Sequence, residues 1–237
     1  MAEHITADST VNTEAARWQQ LSRVTGIAGL AFFALTVAWI VTTSVSGKEP
    51  AFDGTADEVL AYFRATSSAL AGFGSYLVVV GMVAMIWFAI GLALLLGRAE
   101  GRPPWRSSVA AASALVFVGL VLSTPGEAAS YRVQTLTPEL ATYAFDVGNL
   151  GFANGWVAMG SFLLCAGWAM ISTRFAPRWL GWLAVAGGVG LVLSRAVWTS
   201  EIWLLPYAFF WLWVIIVSVR LLRREPARKT SPGGMSA

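Results

Sequence analysis

The sequence predicts an all-α, polytopic membrane helix bundle with six transmembrane helices, and three observations carry that prediction. The 237 residues are 57% hydrophobic and only 12% charged, where a soluble domain carries about 25% charged residues. The apolar residues are gathered into long runs, as a bilayer requires, rather than spread at the period of a soluble core. The basic residues punctuate those runs at alternate ends, where orientation signals belong.

The runs are Val24–Val45, Gly72–Gly97, Ser108–Thr124, Val147–Ser172, Trp179–Val197 and Ile202–Leu222. A helix rising about 1.5 Å per residue needs about 20 residues to cross about 30 Å of hydrocarbon. The third and fifth runs are the shortest by that count. Helices are required because backbone N–H and C=O groups in lipid must pair within their own segment or within a closed barrel. The runs are far longer than the segments of about 10 residues that build barrel strands. The spans divide the chain into a polar tail over residues 1–23, a transmembrane domain over 24–222 and a basic tail over 223–237. The first tail is not a secretory signal peptide, because Glu3, Asp8 and Glu14 interrupt it and the apolar run after it is too long.

With the N-terminus placed inside, Arg17, Arg23, Arg98, Arg102, Arg106, Arg174, Arg178, Arg220, Arg223, Arg224, Arg228 and Lys229 fall on the cytoplasmic side. Lys48, Arg64, Arg132 and Arg195 fall on the outer side. This bias predicts that both termini are cytoplasmic. Lys48 and Lys229 are the only lysines, and with abundant Ala and Gly this arginine bias points to a high-GC bacterial genome, hence to a bacterial plasma membrane. The net charge of +3 is spread over span ends rather than focused in one patch, which excludes a nucleic-acid partner. Membrane lipids are the expected partners.

Two outer connections each contain an amphipathic stretch, Ala56–Ala65 and Thr137–Asp146. In the first, Val59, Leu60 and Phe63 share a face; in the second, Leu140 and Ala144 do, with Thr137 as N-cap and Pro138 at the first helical position. Both are read as short helices on the outer membrane surface. The string GLVLS occurs at Gly119–Ser123 and again at Gly190–Ser194, and VAM at Val83–Met85 and Val157–Met159. Spans two and three therefore resemble spans four and five, in the same orientation. Gly148, Gly151 and Gly155, with Ala110, Ala114, Gly187 and Gly190, are candidates for close helix packing within the monomer, or for contact with a second copy or another membrane protein.

Much chemistry is excluded. The single histidine, His4, lies in the polar tail, so histidine-based metal sites, haem ligation and catalytic triads have no members within the spans. The single cysteine, Cys165, has no partner for a disulfide. The sequence calls for no metal and no cofactor, and no P-loop motif is present.

One polar constellation remains, near the outer interface: Glu127, Arg132, Asp146, Asn149, Asn154, Arg195 and Glu201. Ionisable groups at membrane depth are costly and point to function by default. Asp146 and Asn149 share a helical face, and Asn154 lies about 12 Å beyond Asp146. Arg195 is expected to pair with Asp146 or Glu127. The group either docks the outer loops or lines an outward-facing cavity for a lipid headgroup or small polar solute.

The stretches FDVGNLGF (Phe145–Phe152) and FAPRWLGWLAVAGGVGLVL (Phe175–Leu193) resemble a large group of actinobacterial multi-pass membrane proteins known only as a domain of unknown function. The resemblance implies six helices and a plasma-membrane location, and it brings no catalytic residues. Three functions follow as expectations. The first is a small-solute or lipid-binding permease-like protein with an outward-facing polar site. The second is a non-catalytic accessory or scaffold protein. The third is a carboxylate-dependent membrane enzyme.

Overall fold

The computed structural model describes residues 2–44, 49–66, 68–123 and 125–224, with the backbone alone for residues 2–12, 68 and 127. The described residues form eight α-helices: α1 (Ala2–Ser44), α2 (Ala56–Ala65), α3 (Ser68–Glu100), α4 (Trp105–Leu122), α5 (Gly126–Tyr131), α6 (Pro138–Thr173), α7 (Arg178–Ser194) and α8 (Leu204–Leu222). Single 3-10 turns at Arg195–Val197 and Glu201–Trp203 join α7 to α8. No strand occurs among the described residues. Six of the helices are long and apolar enough to cross a membrane, and they match the six runs of the sequence. The protein is an all-α membrane bundle.

The six long helices alternate in direction and close into a ring in the order α1, α3, α4, α6, α7, α8, with α8 returning to α1. The connections α3–α4 and α6–α7 lie at one end, with the start of α1 and the end of α8. This is the basic end. Helices α2 and α5 lie at the opposite end, the cap end.

The ring has a solid centre. Phe88 of α3, Phe162 of α6 and Trp213 of α8 meet edge to face, with centroids 6.5, 6.2 and 5.7 Å apart. All three are essentially inaccessible, as are Met85, Met159, Leu163 and Phe210 around them. Of the deeper tryptophans, Trp156 and Trp213 fill this centre while Trp87 and Trp168 face outward.

Cohesion comes from close approach as much as from the aromatic plug. Gly160 of α6 lies against Gly188 of α7, and Gly167 lies against Gly181. A Cβ at Gly160 would stand 2.8 Å from the Gly188 carbonyl oxygen, and one at Gly167 would stand 2.7 Å from that of Gly181. Both pairs are spaced seven residues apart on their helices, which brings them to one face. This contact was not among the glycines expected to pack. Of those, Gly155, Gly187 and Gly190 do meet neighbours, on Phe117, Phe209 and Pro206 respectively, whereas Gly148 has nothing within 4 Å. Ala110 and Ala114 are buried as expected. By the GLVLS register Gly188 corresponds to Phe117, so the tight α6–α7 contact is not repeated between α3 and α4. Two hydrogen bonds tie further neighbours: the Ser113 and Ser161 hydroxyls, 2.8 Å apart, join α4 to α6, and Ser22 Oγ donates to the Leu221 carbonyl at 3.0 Å, joining α1 to α8.

Two elements differ from expectation. The polar tail is not separate from the first span, since α1 runs unbroken from Ala2. The second amphipathic stretch is not a free surface helix. It forms the first turns of α6, capped by the Thr137 hydroxyl, which accepts from Leu140 N, with Pro138 behind it. At about 1.5 Å per residue, the 36 residues of α6 make about 54 Å, well beyond about 30 Å of hydrocarbon. The excess stands out of the membrane and carries a small second core. There Val59, Leu60 and Phe63 of α2 pack on Ala129 of α5 and on Ala141, Ala144 and Phe145 of α6. Leu140 and Tyr143 point outward instead. α2 forms over the residues read, held by a reciprocal capping box between Thr55 and Glu58, but its apolar face is buried on α5 and α6 rather than on the membrane surface.

The glycine contact makes a direct prediction. Gly160→Ala or Gly188→Ala forces a methyl against backbone and is expected to cost about 1–3 kcal/mol. Gly148→Ala meets open space and is expected to be neutral or slightly stabilising, since Ala is favoured over Gly in helices by about 1 kcal/mol. Thermal unfolding of the purified variants in one detergent checks the contrast.

Candidate functional site

At the cap end the structure brings together two of the seven predicted site residues. Arg195, at the end of α7, donates through Nε to Asn154 Oδ1 of α6 at 2.8 Å. The charged partner expected for Arg195 was Asp146 or Glu127. Asp146 forms no ion pair among the described residues. The reason is axial distance: Asp146 lies eight residues before Asn154, about 12 Å along the helix, so an Arg195 head seated on Asn154 is too far away. The Glu127 side chain lies outside the described residues; its backbone belongs to α5.

The remaining members are dispersed. Asn149 turns back on its own helix, its Nδ2 donating to the Phe145 carbonyl at 3.1 Å. Arg132 caps the end of α5 through its backbone and is exposed. Glu201 opens the 3-10 turn before α8 and is exposed. Asn154 is itself exposed on the side of α6, and Arg195 is half-buried. The cap end thus holds a polar notch of one amide and one guanidinium, with Asp146 about 12 Å away along α6.

Aromatic residues back this region. On α6, Phe152 and Trp156 are one turn apart, and Trp156 stacks on Trp203 with centroids 5.3 Å apart. Phe52, in the connection after α1, packs edge-on against Trp198 beyond the end of α7 at 4.0 Å. The α1–α2 connection is thereby tied to the α7–α8 turn. Trp156 Nε1, Trp213 Nε1 and Ser218 Oγ are buried with no hydrogen-bond partner among the described residues. Leaving a buried donor unpaired costs about 1–3 kcal/mol, so these side chains are held by shape, at an energetic cost.

The basic end contains a polar cluster that the sequence reading missed. The Glu100 carboxylate, at the end of α3, has a side chain only 2% exposed. One oxygen accepts from Arg106 Nε at 2.8 Å and from Arg106 N at 3.1 Å. The other accepts from Ser107 N at 3.1 Å and Ser107 Oγ at 3.0 Å. The carboxylate therefore caps the first turn of α4, where Pro104 at the N-cap offers no side-chain oxygen. Arg106 continues the chain of contacts, donating through Nη1 to Ser172 Oγ of α6 at 2.7 Å. Its guanidinium also lies over the rings of Trp105 and Trp168. The available signal was one carboxylate in an arginine-rich loop, GRAEGRPPWRS (Gly97–Ser107).

Comparison with protein-family models, with curated proteins and with solved structures finds no match to the chain.

Among the described residues, no group of three or more His, Cys, Asp or Glu side chains is placed to hold a metal ion. Chemically, the cap-end notch can donate hydrogen bonds to an anion or carbonyl, and the Glu100 cluster fixes a loop. Glu100→Ala is expected to cost about 3 kcal/mol of stability, because it strands a partly buried arginine and uncaps α4. Glu100→Gln should retain part of that loss. Unfolding of both variants against the parent chain in the same lipid environment gives the measure.

Proposed function

We propose that the protein is a non-catalytic accessory or scaffold protein of the bacterial plasma membrane, with both termini in the cytoplasm. The observation that supports this best is the filled ring centre, where Phe88, Phe162 and Trp213 close the path a solute would take. An exposed face of α4 suits the same reading. Ser108, Ala112 and Gly119 lie on one outward side of that helix with the exposed Leu115 among them, and Gly119 has nothing within 4 Å. Small residues on an open face allow a partner helix to approach closely.

The second reading is a small-solute or lipid-binding permease with a site at the cap end, and the Asn154–Arg195 pair favours it. A carboxylate-dependent enzyme would need converging acids. Among the described residues no group of three or more His, Cys, Asp or Glu side chains gathers, so this reading ranks last.

A cysteine placed at Phe162, with Cys165 changed to Ser, distinguishes the first two readings. An accessory protein is expected to leave that thiol unreactive toward a water-soluble maleimide added to either face of the membrane. A permease would expose it from at least one face. Reconstituted vesicles should likewise show no saturable, Arg195-dependent solute flux.

Orientation has its own test. A fluorescent protein fused after the last helix is expected to fluoresce, and an alkaline phosphatase fused at the same point to be inactive. The opposite pair of results would place the basic end outside.

A further inference from the structure

We propose that a cleft at the basic end, between the α6–α7 connection and the last turn of α8, binds the phosphate of an anionic phospholipid. The site is independent of whether the protein scaffolds or transports.

The cleft has a volume of about 60 Å³, the scale of a phosphate group rather than of a whole headgroup. Its floor is apolar, made by Met170, Leu180, Val217 and Leu221, all buried. Its rim carries Arg220 and Arg224. Arg220 lies in the last turn of α8 and Arg224 two residues past its end at Leu222, and both line the cleft.

Arg224 is pre-positioned. Its Nη2 donates to the Phe175 carbonyl at 3.0 Å, and its guanidinium sits 4.0 Å from the centroid of the Phe175 ring. Its other donors have no hydrogen-bond partner among the described residues. Neither Arg220 nor Arg224 has an ion-pair partner among the described residues; the two salt bridges found there engage Arg98 and Arg106. The loss of water around Arg224, and then the like charge of Arg220, both work against its protonated form. A bound anion would relieve both.

Two arginines beside an apolar floor match a ligand with a phosphate at one end and hydrocarbon at the other. The location agrees. The cleft lies where α6 ends at Thr173, α7 begins at Arg178 and α8 ends at Leu222, the level at which apolar spans give way to polar connections. Basic pockets between helices at that level recognise anionic headgroups.

The test uses the full chain, purified in detergent and supplied with phosphatidylglycerol, phosphatidylcholine or inorganic phosphate. Retained lipid is counted by native mass spectrometry, and thermal unfolding is followed in parallel. Phosphatidylglycerol is expected to be retained and to raise the unfolding temperature, while phosphatidylcholine does neither. The double variant Arg220→Gln/Arg224→Gln is expected to weaken phosphatidylglycerol retention about thirtyfold, from two arginines at the membrane surface. Its unfolding temperature without lipid should stay near that of the parent. Arg17→Gln/Arg102→Gln, which removes two exposed charges elsewhere, serves as control and is expected to retain the lipid.

Equal retention by the parent and the Arg220/Arg224 variant would overturn the proposal. So would an equal loss in the control, which would reduce the effect to net charge. Stabilisation by inorganic phosphate as strong as that by phosphatidylglycerol would overturn the lipid assignment and leave a free-phosphate site.

Discussion

Cohesion between helices in hydrocarbon cannot rest on the hydrophobic effect, because a lipid tail is as apolar as a leucine. The ring therefore depends on fit. The contact that sets the fit is the seam between α6 and α7, where Gly160 meets Gly188 and Gly167 meets Gly181 with no room for a Cβ. With α7 seated so closely, α8 can follow it back through the bundle: Pro206 of α8 lies against Gly190 of α7. That placement carries Trp213 inward to meet Phe162 and Phe88. Shape complementarity of this order is sensitive to a single methyl. It also explains how Trp156 and Trp213 keep unpaired N–H groups in the interior: the rings fill volume that a smaller side chain would leave empty.

Helix α6 organises both ends of the molecule by being too long for the membrane. Its excess length emerges at the cap end and gives α2 and α5 an apolar surface to cover. Its other end reaches the basic side, where Ser172 receives Arg106 from α4. One helix thus supports the extramembrane core, lines the centre with Phe162 and anchors the α3–α4 loop. The polar side chains along it divide accordingly. Asn154 is engaged by Arg195 on the flank facing α7, while Phe152 and Trp156, on another side, pack against the aromatic residues that begin α8.

The six spans were legible in the sequence because hydropathy over about 20 residues is dictated by the bilayer itself. Helix α2 was legible because Val59, Leu60 and Phe63 share a face, while the Thr55–Glu58 capping box that fixes its start went unread. The continuity of α6 was not. Thr137 and Pro138 announce a helix start, and polar Asp146 and Asn149 interrupt the hydropathy. Whether the helix breaks there is decided by tertiary packing on α2, which no local signal records. Ring order was illegible for the same reason. Arg195 shows a different failure. Charge alone favours a carboxylate partner, yet axial position selects a neutral amide eight residues farther along. Glu100 was passed over because it stands at the end of a span, where one acid among arginines reads as a solvated loop residue.

The two ends end up solving different electrostatic problems. At the cap end acids outnumber bases, and polar side chains along α6 are satisfied by protein: Asn149 by its own helix and Asn154 by Arg195. At the basic end, arginines greatly outnumber acids. The sheltered carboxylate of Glu100 is engaged by Arg106 and the first turn of α4. Glu14 can answer only Arg98, across an exposed 3.6 Å pair that contributes little in water. Arg220 and Arg224, at and just past the end of α8, have no ion-pair partner among the described residues. In water such an excess would be screened within about 8–10 Å. Beside an apolar floor it is screened less, and the negative surface of a lipid leaflet is the counter-charge nearest to hand.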